Sequence, residues 1–214
     1  GLGDEGGFAP KLHRNEQALQ LILQAIDRTG YRKGIDVSIA LDVAASEFAK
    51  GPNYNFEDKQ LSARELIDVY QEWHDHYPII SIEDGLGEDD WANWQELTSV
   101  FRDRLLIVGD DLFVTNQERL KQGIDFGAAN SILIKLNQIG TVTETVETVQ
   151  LAHENNYTSI VSHRSAETID DFISDLAIAT NAEFIKAGAP ARGERVAKYN
   201  RLMLIEEFLK NNKK

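Results

Sequence analysis

The feature that most constrains this chain is a recurring unit. A short apolar, β-rich run is followed by polar residues and then by a stretch of helical period. The runs are VSIALD (37–42), PIISIED (78–84), LLIVGDD (105–111), SILIKLN (131–137), TSIVSHR (158–164) and EFIKAG (183–188). Amphipathic stretches lie near 91–103, 116–124, 141–155, 168–180 and 195–210, and one near 15–29 precedes the first run. Ser62-Ala63-Arg64-Glu65 has the pattern of a capping box and predicts a helix through Tyr77. Continuous apolar strands alternating with helices predict an α/β fold with a parallel sheet covered on its outer face. Six such strands suit a (β/α) barrel or a doubly wound sheet; a full eight-stranded barrel takes about 250 residues, and this chain has 214.

Each run ends in a chemically capable residue: Asp42, Glu83, Asp110, Lys135, His163 and Lys186. In parallel strands such residues emerge at one edge, where α/β proteins place their ligands. Any one of them could simply cap a helix or solvate a loop; six in succession argue for a site. Three carboxylates meeting at one mouth repel unless a cation sits among them. Oxygen donors without sulfur or a histidine cluster favour a hard ion, Mg²⁺ over Zn²⁺. Two lysines and a histidine opposite them would suit an anionic substrate, and a lysine near a divalent cation and a second lysine can act as a base.

Composition narrows the classes. The chain has no cysteine, which excludes disulfides, thiolate metal sites and cysteine nucleophiles. Its net charge of −13 argues against nucleic acid or an anionic membrane surface as the main partner. No apolar run is long enough to span a membrane, and the acidic, Gly-rich start is unlike a signal peptide.

Gly1-Leu2-Gly3-Asp4-Glu5-Gly6 fits G-x-G-x-x-G, but no strand precedes it and Pro10 delays the helix. A dinucleotide fingerprint needs both. The segment reads as a flexible loop carrying Glu5 or Asp4, either a plain turn or a lid. His13, His74, His76 and His153 read as solvated, and Trp73, Trp91 and Trp94 as packing residues.

Several stretches together resemble one family. GDEGGFAP (3–10), ALDVAASEF (40–48), SIEDGLGEDDW (81–91), IVGDDLFVTN (107–116), ILIKLNQIGT (132–141), VSHRS (161–165) and KAGAPARGERVAKYNRL (186–202) are similar to the C-terminal part of the enolases of bacteria. The similarity covers essentially all of residues 1–214. It implies one domain, a TIM-type (β/α) barrel portion with six of the eight strands, preceded by a catalytic loop and helix. It implies that the family's N-terminal domain and first two barrel strands lie outside this sequence.

The resemblance also implies roles. Asp42, Glu83 and Asp110 match Mg²⁺ ligands. Lys135 matches the base that removes the C2 proton of 2-phosphoglycerate, and Glu5 the acid that assists departure of the C3 hydroxyl. His163, Arg164, Ser165 and Lys186 match substrate-contacting residues. The implied activity is dehydration of 2-phosphoglycerate to phosphoenolpyruvate in glycolysis, reversible in gluconeogenesis, in a cytoplasmic homo-oligomer. Two alternatives stand beside it: an inert fragment of that enzyme, or a protein displayed at the cell surface or secreted that binds plasminogen through Lys213 and Lys214. For that tail, plain solvation is the simpler reading. Ala166 and Ala187 stand where the family usually has glycine and threonine. The first would matter if that position needed a positive φ.

Overall fold

The computed structural model describes residues 1–212; Lys213 and Lys214, the residues suggested for plasminogen, lie outside the described residues. In chain order the helices are α1 (Glu16–Thr29), α2 (Ala63–His76), α3 (Trp91–Phe101), α4 (Gln117–Phe126), α5 (Leu136–Ile139), α6 (Val142–Glu154), α7 (Phe172–Ala179) and α8 (Gly193–Asn211). The strands are β1 (Ile39–Asp42), β2 (Ala49–Lys50), β3 (Asn53–Phe56), β4 (Lys59–Ser62), β5 (Ile79–Glu83), β6 (Leu106–Gly109), β7 (Ser131–Ile134), β8 (Thr158–Ser162) and β9 (Phe184–Lys186). Every apolar run forms a strand and every amphipathic stretch a helix. The chain divides into two compact units.

The first unit holds residues 11–113 and 121–131. In it β1, β5 and β6 pair in parallel, with Asp42 opposite Glu83 and Glu83 opposite Val108. Behind the strands lie Leu66, Ile67, Tyr70, Ile82, Trp94, Leu97, Phe101 and Ile107, all fully buried. The two polar rings among them are satisfied: the Tyr70 hydroxyl donates to Gly85 O at 2.9 Å and Trp94 Nε1 to Gly87 O at 2.9 Å. Trp94 is thus a packing residue, as expected. The capping box is present. Ser62 accepts from the Glu65 amide at 3.3 Å while the Glu65 carboxylate accepts from the Ser62 amide at 2.8 Å.

One element has no counterpart in the sequence reading: the antiparallel sheet β2–β3–β4. Its strands are short and mostly polar, so no apolar run marks them. Tyr54 anchors it, buried, with its hydroxyl accepting from Gly87 N and donating to Asp90, both at 2.9 Å. His74 also departs from the solvated reading, since its ring meets Phe101 edge-on at 5.9 Å.

The second unit holds residues 1–10, 114–120 and 132 onward. Here β7, β8 and β9 lie side by side, with Ser162 opposite Lys186 across the parallel β8–β9 pair. Its core mixes Leu133, Ile134, Val149, Ala152 and Val161 with polar residues that are equally enclosed: Thr115, Thr145, Thr148, Ser174, Arg195 and Lys198. Each threonine and serine in that set hydrogen-bonds to main chain, as buried hydroxyls must. His153, read as solvated, contacts Ser159 Oγ at 2.9 Å and Glu183 at 3.5 Å.

The N-terminal segment makes an isolated antiparallel bridge, Leu2 with Phe8. The helix that a dinucleotide fingerprint needs does not open at its end, since α1 starts only at Glu16. Ala166 is not among the residues with positive φ, so the alanine there carries no backbone strain.

Candidate active site

The carboxylates of the first unit are ordered by strand register. Asp42 ends β1 and Glu83 ends β5, directly paired. Glu83 also pairs with Val108, and Asp110 follows Val108 by two residues. Asp42 and Glu83 thus end neighbouring parallel strands side by side, and Asp110 lies one residue beyond the end of β6. Asp42 is exposed, whereas Glu83 and Asp110 are buried. Enclosing carboxylates is costly without compensating charge, and their hard oxygen atoms are the donors a divalent cation such as Mg²⁺ prefers.

Asp84 was not singled out from the sequence, yet it organises this edge. Its side chain accepts the amides of Asp110 and Asp111, each at 2.9 Å. Its own amide donates to Val108 O at 3.0 Å and its carbonyl accepts from Ala45 N at 2.9 Å. The loop after β6 is thereby hung from the residue after β5. Burial pushes the Asp84 carboxyl up to about 7 against those two amides, which pull the other way. Oxygens of Asp84, Asp110 and Asp111 lie within 4.8 Å of one another, a group able to hold a metal ion. Only the acid doublets Glu83-Asp84 and Asp110-Asp111 hinted at this in the sequence.

The remaining candidates belong to the second unit. Lys135 follows β7 by one residue, and its amide donates to Thr115 Oγ1 at 2.9 Å. Thr115, from a distant stretch, thus sets where the lysine leaves the strand. His163 follows β8, and its amide donates to Lys186 O at 2.9 Å, extending the β8–β9 pairing so that His163 and Lys186 leave neighbouring strand ends. Arg164 binds Asn137 Oδ1 at 2.7 Å through its guanidinium and Glu167 at 3.0 Å through its amide. Ser165 is exposed.

Glu5 is held by its backbone. Gly3 N donates to Gly7 O at 2.8 Å, Gly6 N to Gly3 O at 3.1 Å, and Ala189 N to Glu5 O at 2.9 Å. Gly6 has φ +80, and a Cβ there would lie 2.6 Å from Ala191 O. Only glycine allows that approach. A Glu5 carboxylate oxygen reaches to 3.3 Å from His163 Nε2, with His163 almost wholly buried and Glu5 about half exposed. Burial lowers the tendency of His163 to charge; Glu5 opposes this, and Arg195 and Lys186 reinforce it.

Two cations behind this loop carried no signal in the sequence, because buried Arg and Lys run against expectation. Arg195 and Lys198 are both fully enclosed on α8. Lys198 Nζ donates to Glu167 at 2.8 Å, Thr168 O at 2.6 Å and Glu194 O at 2.8 Å. Residues 168–171 lie outside α7, which starts at Phe172; the Asp170 amide donates to Thr168 Oγ1 at 3.2 Å and the Phe172 amide to Asp170 Oδ1 at 3.0 Å.

A family model described as the enolase C-terminal TIM barrel domain matches residues 1–214. The chain belongs to the enolase family. Among curated enolases, that of Natranaerobius thermophilus is 58% identical over 210 residues, covering 97% of this chain and 49% of that protein. That of Tropheryma whipplei strain Twist is 57% identical over 210 residues, covering 98% and 49%. The chain spans about half the length of the curated enolases it matches. Its fold is the α/β TIM-type barrel portion of an enolase, with Asp42, Glu83, Asp110, Lys135, His163 and Lys186 at or just beyond the C-terminal ends of its six parallel strands.

Proposed function

We propose that this chain provides the barrel residues of an Mg²⁺-dependent hydro-lyase, phosphopyruvate hydratase, which dehydrates 2-phosphoglycerate to phosphoenolpyruvate in glycolysis and runs in reverse in gluconeogenesis. The observation that carries this reading is the match of the whole chain to the enolase barrel model. The candidate residues at successive strand ends agree with it.

Asp42, Glu83 and Asp110 would hold the Mg²⁺, which when bound offsets the negative charge that develops on the substrate carboxylate. Lys135, as the neutral amine, takes the C2 proton. The C2–H electron pair becomes the C2=C3 bond, the C3–O bond breaks, and Glu5 gives its proton so that the hydroxyl leaves as water. His163, Arg164, Ser165 and Lys186 bind the anionic substrate and hold it in line. A cytoplasmic setting and a homo-oligomeric assembly go with this reading. Among the described residues no helix is long and apolar enough to cross a membrane.

The roles separate by isotope exchange in a full-length enolase carrying these residues. Lys135→Ala should abolish exchange of the substrate C2 proton with deuterated solvent. Glu5→Gln should stop dehydration and leave measurable exchange. Equal loss of exchange in both variants would refute the division of labour. Absence of Mg²⁺-dependent absorbance from phosphoenolpyruvate in the unmodified full-length protein would refute the reaction itself.

A further inference from the structure

The Arg195 guanidinium touches four acceptors on two segments. One terminal nitrogen lies 2.6 Å from His163 Nδ1 and 2.7 Å from Arg164 O, and the other lies 2.7 Å from Ser165 O and 3.1 Å from Asp4 O. The side chain is fully buried. A guanidinium has only donors and stays charged at any working pH. A ring nitrogen 2.6 Å from it must therefore present its lone pair. The single proton of the neutral imidazole is then on Nε2, the nitrogen 3.3 Å from Glu5.

We propose that Arg195 is a positioning residue that fixes His163 as the neutral imidazole with its proton on Nε2, facing Glu5. The charged groups around His163 are Glu5 and Glu167, which favour an imidazolium, and Arg195 and Lys186, which oppose it. Of these, Arg195 is in contact with the nitrogen that would have to take the second proton. Gly188 makes this possible. It has φ +83, and a Cβ there would lie 2.7 Å from Arg195 Cδ and 2.8 Å from Glu5 O.

The consequence for reaction rests on the reading of Glu5 as the leaving-group acid. An imidazolium at His163 would hold Glu5 ionised and remove the proton it must give. A neutral imidazole places no full positive charge beside Glu5 and so leaves it able to carry that proton. Arg195 thereby tunes the acid without touching the substrate.

Long-range ¹H–¹⁵N spectra of the imidazoles in the 214-residue chain test this. His163 should show an unprotonated Nδ1 and a protonated Nε2, and should remain neutral below the ordinary histidine value of 6.5. Arg195→Gln keeps a donor and removes the charge; its His163 midpoint should move to higher pH. A wild-type spectrum with the proton on Nδ1, a wild-type midpoint at the ordinary value, or an unchanged midpoint in folded Arg195→Gln overturns the proposal. The wild-type spectrum decides by itself if the variant does not fold. These readouts need neither substrate nor metal, so failure of hydratase turnover would refute the reaction and leave the tautomer assignment standing.

Discussion

At Lys198 a fully enclosed ammonium meets Glu167, itself largely buried, with a backbone carbonyl from each side completing its three donors. Removing one partner of such a pair leaves the other charge buried and uncompensated. Lys198→Met should therefore cost about 3–5 kcal/mol, read from urea unfolding midpoints. The pH dependence follows from the same contact. Burial pulls the Glu167 carboxyl up, but Lys198 and the amides of Arg164 and Thr168 outweigh it and hold it below its ordinary value of 4.5. A carboxyl depressed in the folded state contributes stability that is full above 4.5 and is lost as pH falls through the folded value. That acid-side loss should shrink in Lys198→Met, where only burial and the amides remain.

Asp84 and Asp42 divide along the same line between structure and binding. Asp84 accepts two amides, and an asparagine can accept only one while turning an N–H₂ toward the other. Asp84→Asn should cost about 1–3 kcal/mol. Asp42 is exposed at the strand end, and Asp42→Asn should weaken Mg²⁺ binding. Calorimetric Mg²⁺ titration beside urea unfolding checks both halves. Equal Mg²⁺ affinity in Asp42→Asn and the parent chain would remove Asp42 from the ligand set.

Among the elements, α8 does unusual work for a C-terminal helix. Its first turns carry Arg195 and Lys198 inward, while Met203, Leu204 and Phe208 further along are exposed. The helix start is tightly constrained on one side and open on the other. Gly188 has no room for a methyl group, since the nearest obstacles include the Glu5 carbonyl, which cannot rotate away. Gly188→Ala should cost roughly 1–3 kcal/mol from overpacking and should bring the His163 titration toward its ordinary value. At Gly193, the first residue of the helix, a Cβ meets nothing within 4 Å. Gly193→Ala should be neutral or stabilise by about 0.4–1 kcal/mol through the unfolded chain. Opposite signs for two Gly→Ala changes five positions apart would separate steric closure at the site from general helix propensity. Thermal unfolding with the histidine spectrum recorded alongside is the measurement. Equal effects at both positions would contradict the assignment.

For the molecule as a whole, the governing quantity is charge. A net −13 is compatible with an anionic substrate only where cations are gathered locally. The second unit does this with Lys135, Arg164 and Lys186 at or just beyond its strand ends, while the first unit concentrates carboxylates at its own. Mg²⁺ that binds the folded carboxylates should therefore stabilise the protein by mass action, by about 2.7 kcal/mol at a concentration one hundred times Kd. Differential scanning calorimetry with and without Mg²⁺ should show this gain, and Asp110→Asn should lose most of it. No shift at saturating Mg²⁺ would mean that these carboxylates do not hold the ion in this chain.

The alternation of strands and helices was legible in the residues because it is local. Apolar runs and helical periods are written within each segment, and the residue at the end of a run needs no distant partner to be noticed. Asp42, Glu83, Asp110, Lys135, His163 and Lys186 were found in that way, and the strand assignment holds to within a few residues at each end. The small sheet β2–β3–β4 was not legible, because its strands are polar and are held by Tyr54 reaching to Gly87 and Asp90. Asp84, Thr115, Arg195 and Lys198 were missed for a related reason. What makes them matter is the set of main-chain donors and acceptors around them, most of it supplied by segments some twenty or more residues away. A buried cation or a buried carboxylate is tolerable only where the fold supplies those groups. Sequence chemistry thus determined which strand ends carry reactive groups, and tertiary structure alone decided which polar residues are enclosed to hold them in place.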